Sequence, residues 1–226
     1  MSVLTIAIDG PVSSGKSSVS DEVAKRLGMI HLDTGAMYRA LGLAAARQGI
    51  DMENERDVVS LCENGEARID VRYESGRQVT LLNGEDVSNE IREQRIGDAA
   101  SMVSRYKGVR AFMVRKQQEI AGRQDILIDG RDICTVVLPD AKVKIYLTAT
   151  PEERARRRQN QLAEKGQDIS FEKVLEEINM RDWQDTHREA DPLRIADDAV
   201  VIDNTGFDFE QSVRAVLDLV AEAQNE

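Results

Sequence analysis

Two glycines, a lysine and a serine near the start of the chain have the spacing of a phosphate-binding loop. Residues 10–17 read Gly-Pro-Val-Ser-Ser-Gly-Lys-Ser, which matches G-x-x-x-x-G-K-[ST] in full. An apolar run at 3–8 precedes the loop, and residues 16–27 have the apolar spacing of a helix. In such a unit the backbone N–H groups converge on an anion, the lysine reaches the terminal phosphates and the serine hydroxyl can ligate Mg²⁺. The pattern therefore predicts binding of a nucleoside triphosphate.

No motif in the chain indicates a GTPase switch or a transport ATPase, because N-K-x-D and L-S-G-G-Q are both absent. The sequence instead has arginines in four segments beyond the loop. The first segment is residues 32–39, Leu-Asp-Thr-Gly-Ala-Met-Tyr-Arg, in which Asp33 or Thr34 can cap a helix and Arg39 lies about a turn further on. A capped helix with a solvated arginine is the alternative interpretation.

The next two segments lie in the middle of the chain. One contains four polar residues that, taken alone, favour a solvated helix face: Ser101, Arg105, Arg110 and Arg115. The other, residues 126–132, reads Ile-Leu-Ile-Asp-Gly-Arg-Asp, a buried strand that ends in charged groups. An acid at such a strand end lies beside the phosphate loop in folds of this kind, so Asp129 can act through Mg²⁺-bound water. An ordinary turn is the alternative.

The fourth segment is a pair of arginine-rich helical stretches. Four arginines crowd the start of one stretch: Arg154, Arg156, Arg157 and Arg158. In the other, Arg181, Asp185 and Arg188 fall at i, i+4 and i+7 and share one helical face. Guanidinium groups bind phosphate through two parallel hydrogen bonds, and clustered like charges destabilise a fold unless an anion arrives. Two phosphate-sized basic surfaces remain after the triphosphate is placed, which favours a kinase with a second phosphorylated substrate.

Short apolar runs alternate with helical patterns, which is typical of a parallel sheet with helices on its faces. The predicted core strands are residues 4–8, 30–32, 126–129, 143–147 and 199–202. The predicted helices are residues 16–27, 35–47, 107–121, 151–164, 171–188 and 209–223. Residues 66–82 break the alternation with period-two patterning around Ser75-Gly76, and Asn83-Gly84 follows as a second turn. We therefore expect a small antiparallel insert at about 65–90.

The composition is that of an ordinary soluble globular chain of 226 residues, 41% hydrophobic and 31% charged. Its net charge of -11 does not attract nucleic acid or an anionic membrane, so a polyanion must be met by local arginine clusters. Cys62 and Cys134 lack the spacing of a disulfide framework or a metal site. No targeting segment or long apolar span is visible. We expect a cytoplasmic protein that acts as a monomer without nucleic acid or membrane partners.

Five motifs together resemble those of bacterial cytidylate kinases. They are Gly-Pro-x-x-x-Gly-Lys-Ser at 10–17, Leu-Asp-Thr-Gly-Ala-Met-Tyr-Arg at 32–39, Gly-Glu-Asp-Val-Ser at 84–88, Asp-Gly-Arg-Asp at 129–132 and Arg-Asp-x-x-Asp-x-x-Arg at 181–188. The resemblance covers nearly the whole chain, in order. It implies a three-layer α/β fold of the P-loop NTPase type with a parallel central sheet. It also implies transfer of the γ-phosphate of ATP to CMP or dCMP, with Mg²⁺ as cofactor.

The resemblance further implies three parts and the residues that act in each. The core comprises residues 1–33 and 107–226, with a short helical lid at about 150–168 inside it, and residues 34–106 form the nucleoside-monophosphate-binding (NMP-binding) lobe, which carries the β insert. The implied ATP-binding residues are Gly10, Pro11, Val12, Ser13, Ser14, Gly15, Lys16, Ser17 and Ser18. Ser17, and Asp129 through water, are the implied metal-binding residues.

The implied CMP site draws on four segments of the chain. Cytosine recognition falls on Thr34, Arg110, Asp132 and Arg188, with Tyr38 in the same site. The sugar lies near Ser101, Arg181 and Asp185, and the acceptor phosphate near Arg39, Arg131 and Arg188. The lid arginines, expected to close over the triphosphate, are Arg154, Arg157 and Arg158. The implied catalytic residues are Lys16, Arg131, Arg157, Arg158, Arg181 and Arg188.

Two positions depart from the family pattern. Thr34 stands where the family often has serine, and it keeps the hydroxyl. Cys134 stands where we expect glycine; if that glycine has a positive φ, a Cβ there costs about 1–2 kcal/mol and shifts Asp132, which would affect base selectivity. Two other functions remain open from the residues: a P-loop kinase that acts on UMP, AMP or a non-nucleotide acceptor, and a nucleotide-dependent regulatory or RNA-binding module.

Overall fold

The computed structural model describes residues 3–224, which contain eight strands and eight α-helices. The strands are β1 (Thr5–Asp9), β2 (Ile30–Asp33), β3 (Ile69–Glu74), β4 (Arg77–Leu82), β5 (Glu85–Asp86), β6 (Ile126–Gly130), β7 (Val143–Thr148) and β8 (Val200–Asp203). The helices are α1 (Lys16–Leu27), α2 (Thr34–Arg47), α3 (Glu55–Glu63), α4 (Gln94–Val103), α5 (Lys107–Ala121), α6 (Pro151–Glu164), α7 (Phe171–His187) and α8 (Phe209–Gln224). A 3₁₀ turn (Glu90–Arg92) and a π-helical turn (Ile133–Val137) lie between them.

The central sheet has five parallel strands in the order β2-β6-β1-β7-β8. Its register pairs Ile8 with Asp129 and Asp9 with Gly130, while Asp33 at the end of β2 also lies opposite Asp129. The carboxyl ends of parallel strands meet at one edge, where such sheets bind ligands. Strands far apart in sequence therefore bring the phosphate loop and the segment 129–132 to the same edge.

Alternation along β1 explains why the sheet is covered on both faces. Ile6 and Ile8 pack in one buried cluster with residues of α1 and α8, including Val23 and Val216. Ala7, between them, belongs to a second cluster that includes side chains of α2 and α5. Successive side chains of a strand point to opposite faces, so a continuous apolar strand requires helices on both sides. The predicted three-layer α/β architecture is confirmed.

The predicted insert is a three-stranded antiparallel sheet in the order β3-β4-β5. Ser75 and Gly76 have φ of 50° and 78°, and Asn83 and Gly84 have φ of 53° and 87°. Positive φ at both central residues is the signature of the type I′ hairpin turn, whose twist matches the flanking strands. Both turns lie where the sequence predicts them.

All five predicted core strands and all six predicted helices are present, and no end is shifted by more than one residue. Helix α7, for example, ends at His187, and Arg188 is its C-cap. The prediction omitted α3 and α4, which lie within residues 34–106. Within residues 3–224, no helix has both the length and the apolar character required to cross a lipid bilayer.

Candidate active site

The phosphate loop joins the end of β1 to the start of α1. Gly15, the N-cap of α1, has φ 86°, a left-handed conformation that glycine adopts without a steric penalty. A Cβ on Gly10 would lie 2.1 Å from the carbonyl oxygen of Leu147 on β7, so only glycine fits there. The two glycines thus allow the loop to turn tightly against the sheet and present its N–H groups at a helix N-terminus.

Lys16 is 7% exposed, and its Nζ donates a 3.0 Å hydrogen bond to the carbonyl of Pro11 across the loop. Burial lowers the pKa of Lys16 to about 7, and the Arg131 cation acts in the same direction. The carboxylates of Asp129 and Asp185 oppose this shift. An anionic phosphate next to Lys16 would oppose the effect of burial and favour the charged ammonium form, as expected of a phosphate-binding lysine.

Ser17 and Asp129 come together at the carboxyl edge of the sheet. Ser17 Oγ donates to Asp129 Oδ2 over 2.8 Å, and His31 Nε2 lies 2.7 Å from the other carboxylate oxygen, Oδ1. Burial by itself would raise the pKa of Asp129, but the hydrogen bond and charge of His31, the charge of Lys16 and the hydrogen bond from Ser17 together lower it. Asp129 is therefore an ionised carboxylate whose orientation is fixed from two sides.

The chemistry of this pair fits Mg²⁺. A hydroxyl and a carboxylate are hard oxygen ligands, and Mg²⁺ is usually held by one or two such groups together with substrate phosphates and water. Residues 3–224 contain no cluster of three or more His, Cys, Asp or Glu side chains that would hold a metal unaided. Ser17 and Asp129 thus suit a metal that arrives with a nucleotide.

Arg110 is the centre of a buried ionic cluster. It is 1% exposed, donates through Nη2 to Asp132 and donates through Nε to Asp191 over 2.9 Å. Its guanidinium carbon lies 5.5 Å from the centre of the Tyr38 ring. Arg188 Nη2 lies 3.7 Å from Asp132 Oδ1. These contacts unite α2, α5 and the ends of β6 and α7 around one carboxylate.

A second cluster carries excess positive charge. Arg131 Nε donates to Asp185 Oδ2 over 2.6 Å, and Arg39 Nη1 donates to the carbonyl of Ile91 over 3.1 Å. In the described part of the chain, the buried Nε of Arg181 has no hydrogen-bond partner. Burial lowers the pKa of both Arg39 and Arg181, and Arg131 adds to this lowering in each case. Among residues 3–224, only Arg131 of these three arginines has a carboxylate within 4 Å, so the partly desolvated cluster suits a phosphate group.

Thr34 and Ser101 lie at the borders of these clusters. The Thr34 hydroxyl is buried and donates to the carbonyl of Asp129 over 2.8 Å. Gly130 makes this approach possible, because a Cβ there would lie 2.7 Å from Thr34 Oγ1. Ser101 Oγ, on α4, lies 3.4 Å from Gln184 Oε1 on α7. Asp33 caps α2, since its Oδ1 accepts from the N–H of Ala36, which resolves the choice between Asp33 and Thr34.

The three lid arginines of α6 have different partners. Arg154 is buried and contacts the carbonyls of Ala149 and Val12, and its Nη1 lies 2.7 Å from Asp182. Arg157 donates to the carbonyl of Asn204 over 2.8 Å. Arg158 donates to the side chain of Gln94, which lies on α4. Arg154 and Arg157 therefore contact the phosphate loop, through the carbonyls of Val12 and Ser14, whereas Arg158 contacts α4.

Two further arginines and Cys134 are placed away from any ligand surface. Arg105 pairs with Glu53 at 2.6 Å, and Arg115 is exposed on α5, so of that trio only Arg110 joins the site. The condition for strain at Cys134 is not met, because Cys134 is not among the residues with positive φ. Its Sγ is buried 3.5 Å from the carbonyl of Ala7. The extra side chain fills space against β1 without backbone strain.

The sequence reasoning did not identify three residues that support the site: His31, Asp191 and Asn204. Asn204 Nδ2 donates to the Ser14 carbonyl over 3.1 Å and links the phosphate loop to the segment after β8. His31 lies in the predicted second strand, but its place beside Asp129 depends on the strand order and register of the sheet, which local patterns do not give. Asp191 and Asn204 lie in irregular segments, where no periodicity indicates their neighbours.

Comparison with known proteins identifies the family. The family model described as cytidylate kinase matches residues 6–222. The chain is 46% identical to a cytidylate kinase from Caldicellulosiruptor saccharolyticus over 219 residues, covering 97% of this chain and 96% of that one. It is 43% identical to a cytidylate kinase from Bacillus cereus over 218 residues, 96% of each chain. An uncharacterized protein from Eubacterium ventriosum, 10% identical, has a similar fold with a TM-score of 0.54 over 96% of this chain and 98% of its own. The chain belongs to the cytidylate kinase family.

Proposed function

We propose that this chain transfers the γ-phosphoryl group of ATP to CMP or dCMP, giving ADP and CDP or dCDP. The observation that carries the proposal is the arrangement of Arg110, Asp132 and Arg188 beside the phosphate loop in a member of this family. The cytosine edge presents an amino donor beside acceptors. A carboxylate flanked by guanidinium groups complements that edge.

The donor site is formed by residues 10–18. The backbone N–H groups of the loop and the positive end of α1 receive the phosphates, and Lys16 faces the β- and γ-phosphoryl oxygens. Ser17 and water held by Asp129 are the proposed ligands of Mg²⁺. When bound, the metal neutralises charge that develops on the phosphoryl oxygens. His31 keeps the Asp129 carboxylate ionised and oriented toward that position.

The acceptor site is formed by the two arginine clusters. The base is surrounded by five side chains: Thr34, Tyr38, Arg110, Asp132 and Arg188. Because the Thr34 hydroxyl already donates to a backbone carbonyl, it presents a lone pair to an incoming amino group. The remaining residues bind sugar and phosphate: Ser101, Asp185 and Arg181 face the sugar, and Arg39, Arg131 and Arg188 face the phosphate.

The transfer is direct and in-line, without a covalent enzyme intermediate. Six side chains align the two phosphates and stabilise the charge spread over the transferred group. They are Lys16, Arg131, Arg157, Arg158, Arg181 and Arg188. The lid (150–168) and the NMP-binding lobe (34–106) close on the core (1–33 and 107–226). This closure brings the arginines together and excludes water. The acceptor drives this closure, so that γ-phosphate is not lost to hydrolysis.

The net charge and the state of the cysteines support the proposals on partners and cellular compartment. The net charge of -11 disfavours nucleic acid and anionic membranes as partners. Cys62 and Cys134 are both free and buried, which suits a reducing compartment such as the cytoplasm. We propose that the chain works as a monomer, because both substrate sites are built from its own residues.

A panel of acceptors in a coupled ADP assay tests the proposed function. CMP, dCMP, UMP and AMP are each supplied with MgATP, and ADP formation is compared with a reaction that lacks acceptor. The proposal expects the highest kcat/KM for CMP or dCMP. Preference for UMP or AMP would indicate the second kinase function, and ATP binding without ADP formation from any of the four nucleotides would leave a non-nucleotide kinase or a regulatory or RNA-binding module.

A further inference from the structure

The π-helical turn Ile133–Val137 begins with N–H groups that require an outside acceptor, as the first N–H groups of any helix do. Asp132 occupies the N-cap position of this turn, and aspartate is among the best N-cap residues because its carboxylate accepts from those N–H groups. Asp132 makes no such bond. Its carboxylate is directed instead to Arg110 and Arg188.

The cap is supplied from another strand. Asp9, the last residue of β1, accepts from the N–H of Ile133 through Oδ1 at 2.9 Å and from the N–H of Cys134 through Oδ2 at 2.8 Å. Asp9 is 1% exposed and lies opposite Gly130 in the sheet register. A carboxylate can accept two such bonds without presenting a donor, whereas an asparagine side chain has one acceptor and an N–H₂ group.

We propose that Asp9 is a positioning residue for acceptor recognition: by capping the π-helical turn in place of Asp132, it leaves the Asp132 carboxylate free to face Arg110 and the base. This inference rests on the proposed function, because it takes Asp132 to be a base-contacting residue. Asp9 itself touches neither substrate. Without it, Asp132, which occupies the N-cap position, would turn away from Arg110 to cap its own turn.

The electrostatics of Asp9 support a role other than stability. Burial raises its pKa to about 6, the two backbone hydrogen bonds oppose this shift, and the charge of Asp132 adds to it. Cys134 and Tyr146, which also interact with Asp9, carry no positive charge. A neutral residue would avoid the cost of a buried carboxylate beside a second one. The retained carboxylate is explained if its two acceptors are needed to release Asp132.

A double-mutant cycle between Asp9 and Asp132 tests the proposal. The variants are Asp9→Ala, Asp9→Asn, Asp132→Ala and the double variant Asp9→Ala/Asp132→Ala. The matched control is Ile8→Val, which alters the neighbouring buried residue of β1 without a polar contact. The readouts are KM for CMP, KM for ATP and kcat, together with equilibrium titration of CMP and a thermal melt of each variant.

Asp9→Ala is expected to raise KM for CMP by about 10- to 100-fold, as for loss of a charge-assisted hydrogen bond, with KM for ATP within about twofold. For Asp9→Asn, we expect a KM for CMP between those of Asp9→Ala and wild type, because the asparagine side chain keeps one hydrogen-bond acceptor. Because both changes remove the same contact, the double variant should be no weaker for CMP than Asp132→Ala alone. Ile8→Val should leave both KM values unchanged.

Three results would overturn the proposal. These are additive effects of Asp9→Ala and Asp132→Ala, equal increases in KM for ATP and CMP, or a normal KM for CMP in Asp9→Asn and Asp9→Ala. If Asp9→Ala does not fold, the same cycle is read with Asp9→Asn. Wild type that does not phosphorylate CMP would instead refute the proposed function, so the two failures are distinguished in one assay.

Discussion

Replacement of Arg110 by methionine would separate recognition of the base from the rest of the reaction. Arg110 is fully buried, and methionine is long and flexible enough to fill most of its volume. The change leaves Asp132 with Arg188 at 3.7 Å and leaves Asp191, whose side chain is 32% exposed, open to water. Breaking a buried ion pair lowers the free energy of unfolding by about 3–5 kcal/mol. Because Asp132 keeps a cationic neighbour and Asp191 is open to water, we expect a loss at the lower end of this range. A domain with about 5–15 kcal/mol of stability should still fold.

The effect on activity follows from the lost guanidinium contacts. One hydrogen bond to a charged group contributes about 1.5–3 kcal/mol, which is about 10- to 150-fold in kcat/KM for CMP. Uracil has the opposite donor and acceptor pattern at the positions where cytosine differs, so a site built for cytosine already binds UMP poorly. We expect a smaller loss for UMP, and therefore a lower CMP/UMP ratio, with kcat/KM for ATP nearly unchanged.

The assay is the coupled measurement of ADP with CMP and UMP as acceptors, on Arg110→Met and on Arg115→Met as its matched control. Arg115 lies on the same helix but is exposed, so its replacement should change neither stability nor kcat/KM by more than about twofold. Melting curves of both variants establish that the protein is folded at the assay temperature. Equal losses for CMP and UMP in a folded Arg110→Met would refute base recognition by Arg110, as would kinetics like those of the control.

Four shorter predictions address the other parts of the site. Lys16→Ala should lower kcat by about 10²–10³-fold with an unchanged melting curve, since it removes charge stabilisation of the transferred phosphate; near-normal kcat would exclude the loop lysine from the mechanism. Asp185→Ala should weaken the distinction between CMP and dCMP, and an unchanged ratio would end its assignment to the sugar. ATP hydrolysis without acceptor should be orders of magnitude slower than transfer to CMP, which a comparison of ADP release checks; equal rates would contradict acceptor-driven closure. Burial raises the pKa of Asp9 to about 6, so folding is favoured while Asp9 is protonated and that advantage is lost as the pH rises through 6. The free energy of unfolding of wild type relative to Asp9→Asn should therefore fall by about 2 kcal/mol from pH 4.5 to 7.5 in urea titrations, and parallel curves would show that Asp9 does not titrate in this range.

Several elements could be predicted because their signals are local. The phosphate loop is specified by glycines at positions that tolerate no Cβ, as Gly10 shows against the carbonyl of Leu147. The hairpin turns follow from Ser-Gly and Asn-Gly pairs that accept positive φ. Helices α3 and α4, which the prediction omitted, also have local sequence signals that indicate a helix. Asn54 caps α3, and Ile96, Ala99, Ala100 and Val103 are spaced along one buried face of α4.

The sequence by itself determined the chemistry of the donor loop, the alternating α/β order and the supply of arginines for a second phosphate. These features depend on residue types and on short-range spacing, and both can be read within a single segment of the chain. Only the tertiary structure decided which charged groups meet: Asp9 with the N–H groups of Ile133 and Cys134, and His31 with Asp129. Such pairings join residues about a hundred positions apart through the register of parallel strands, and nothing in the local sequence encodes that register.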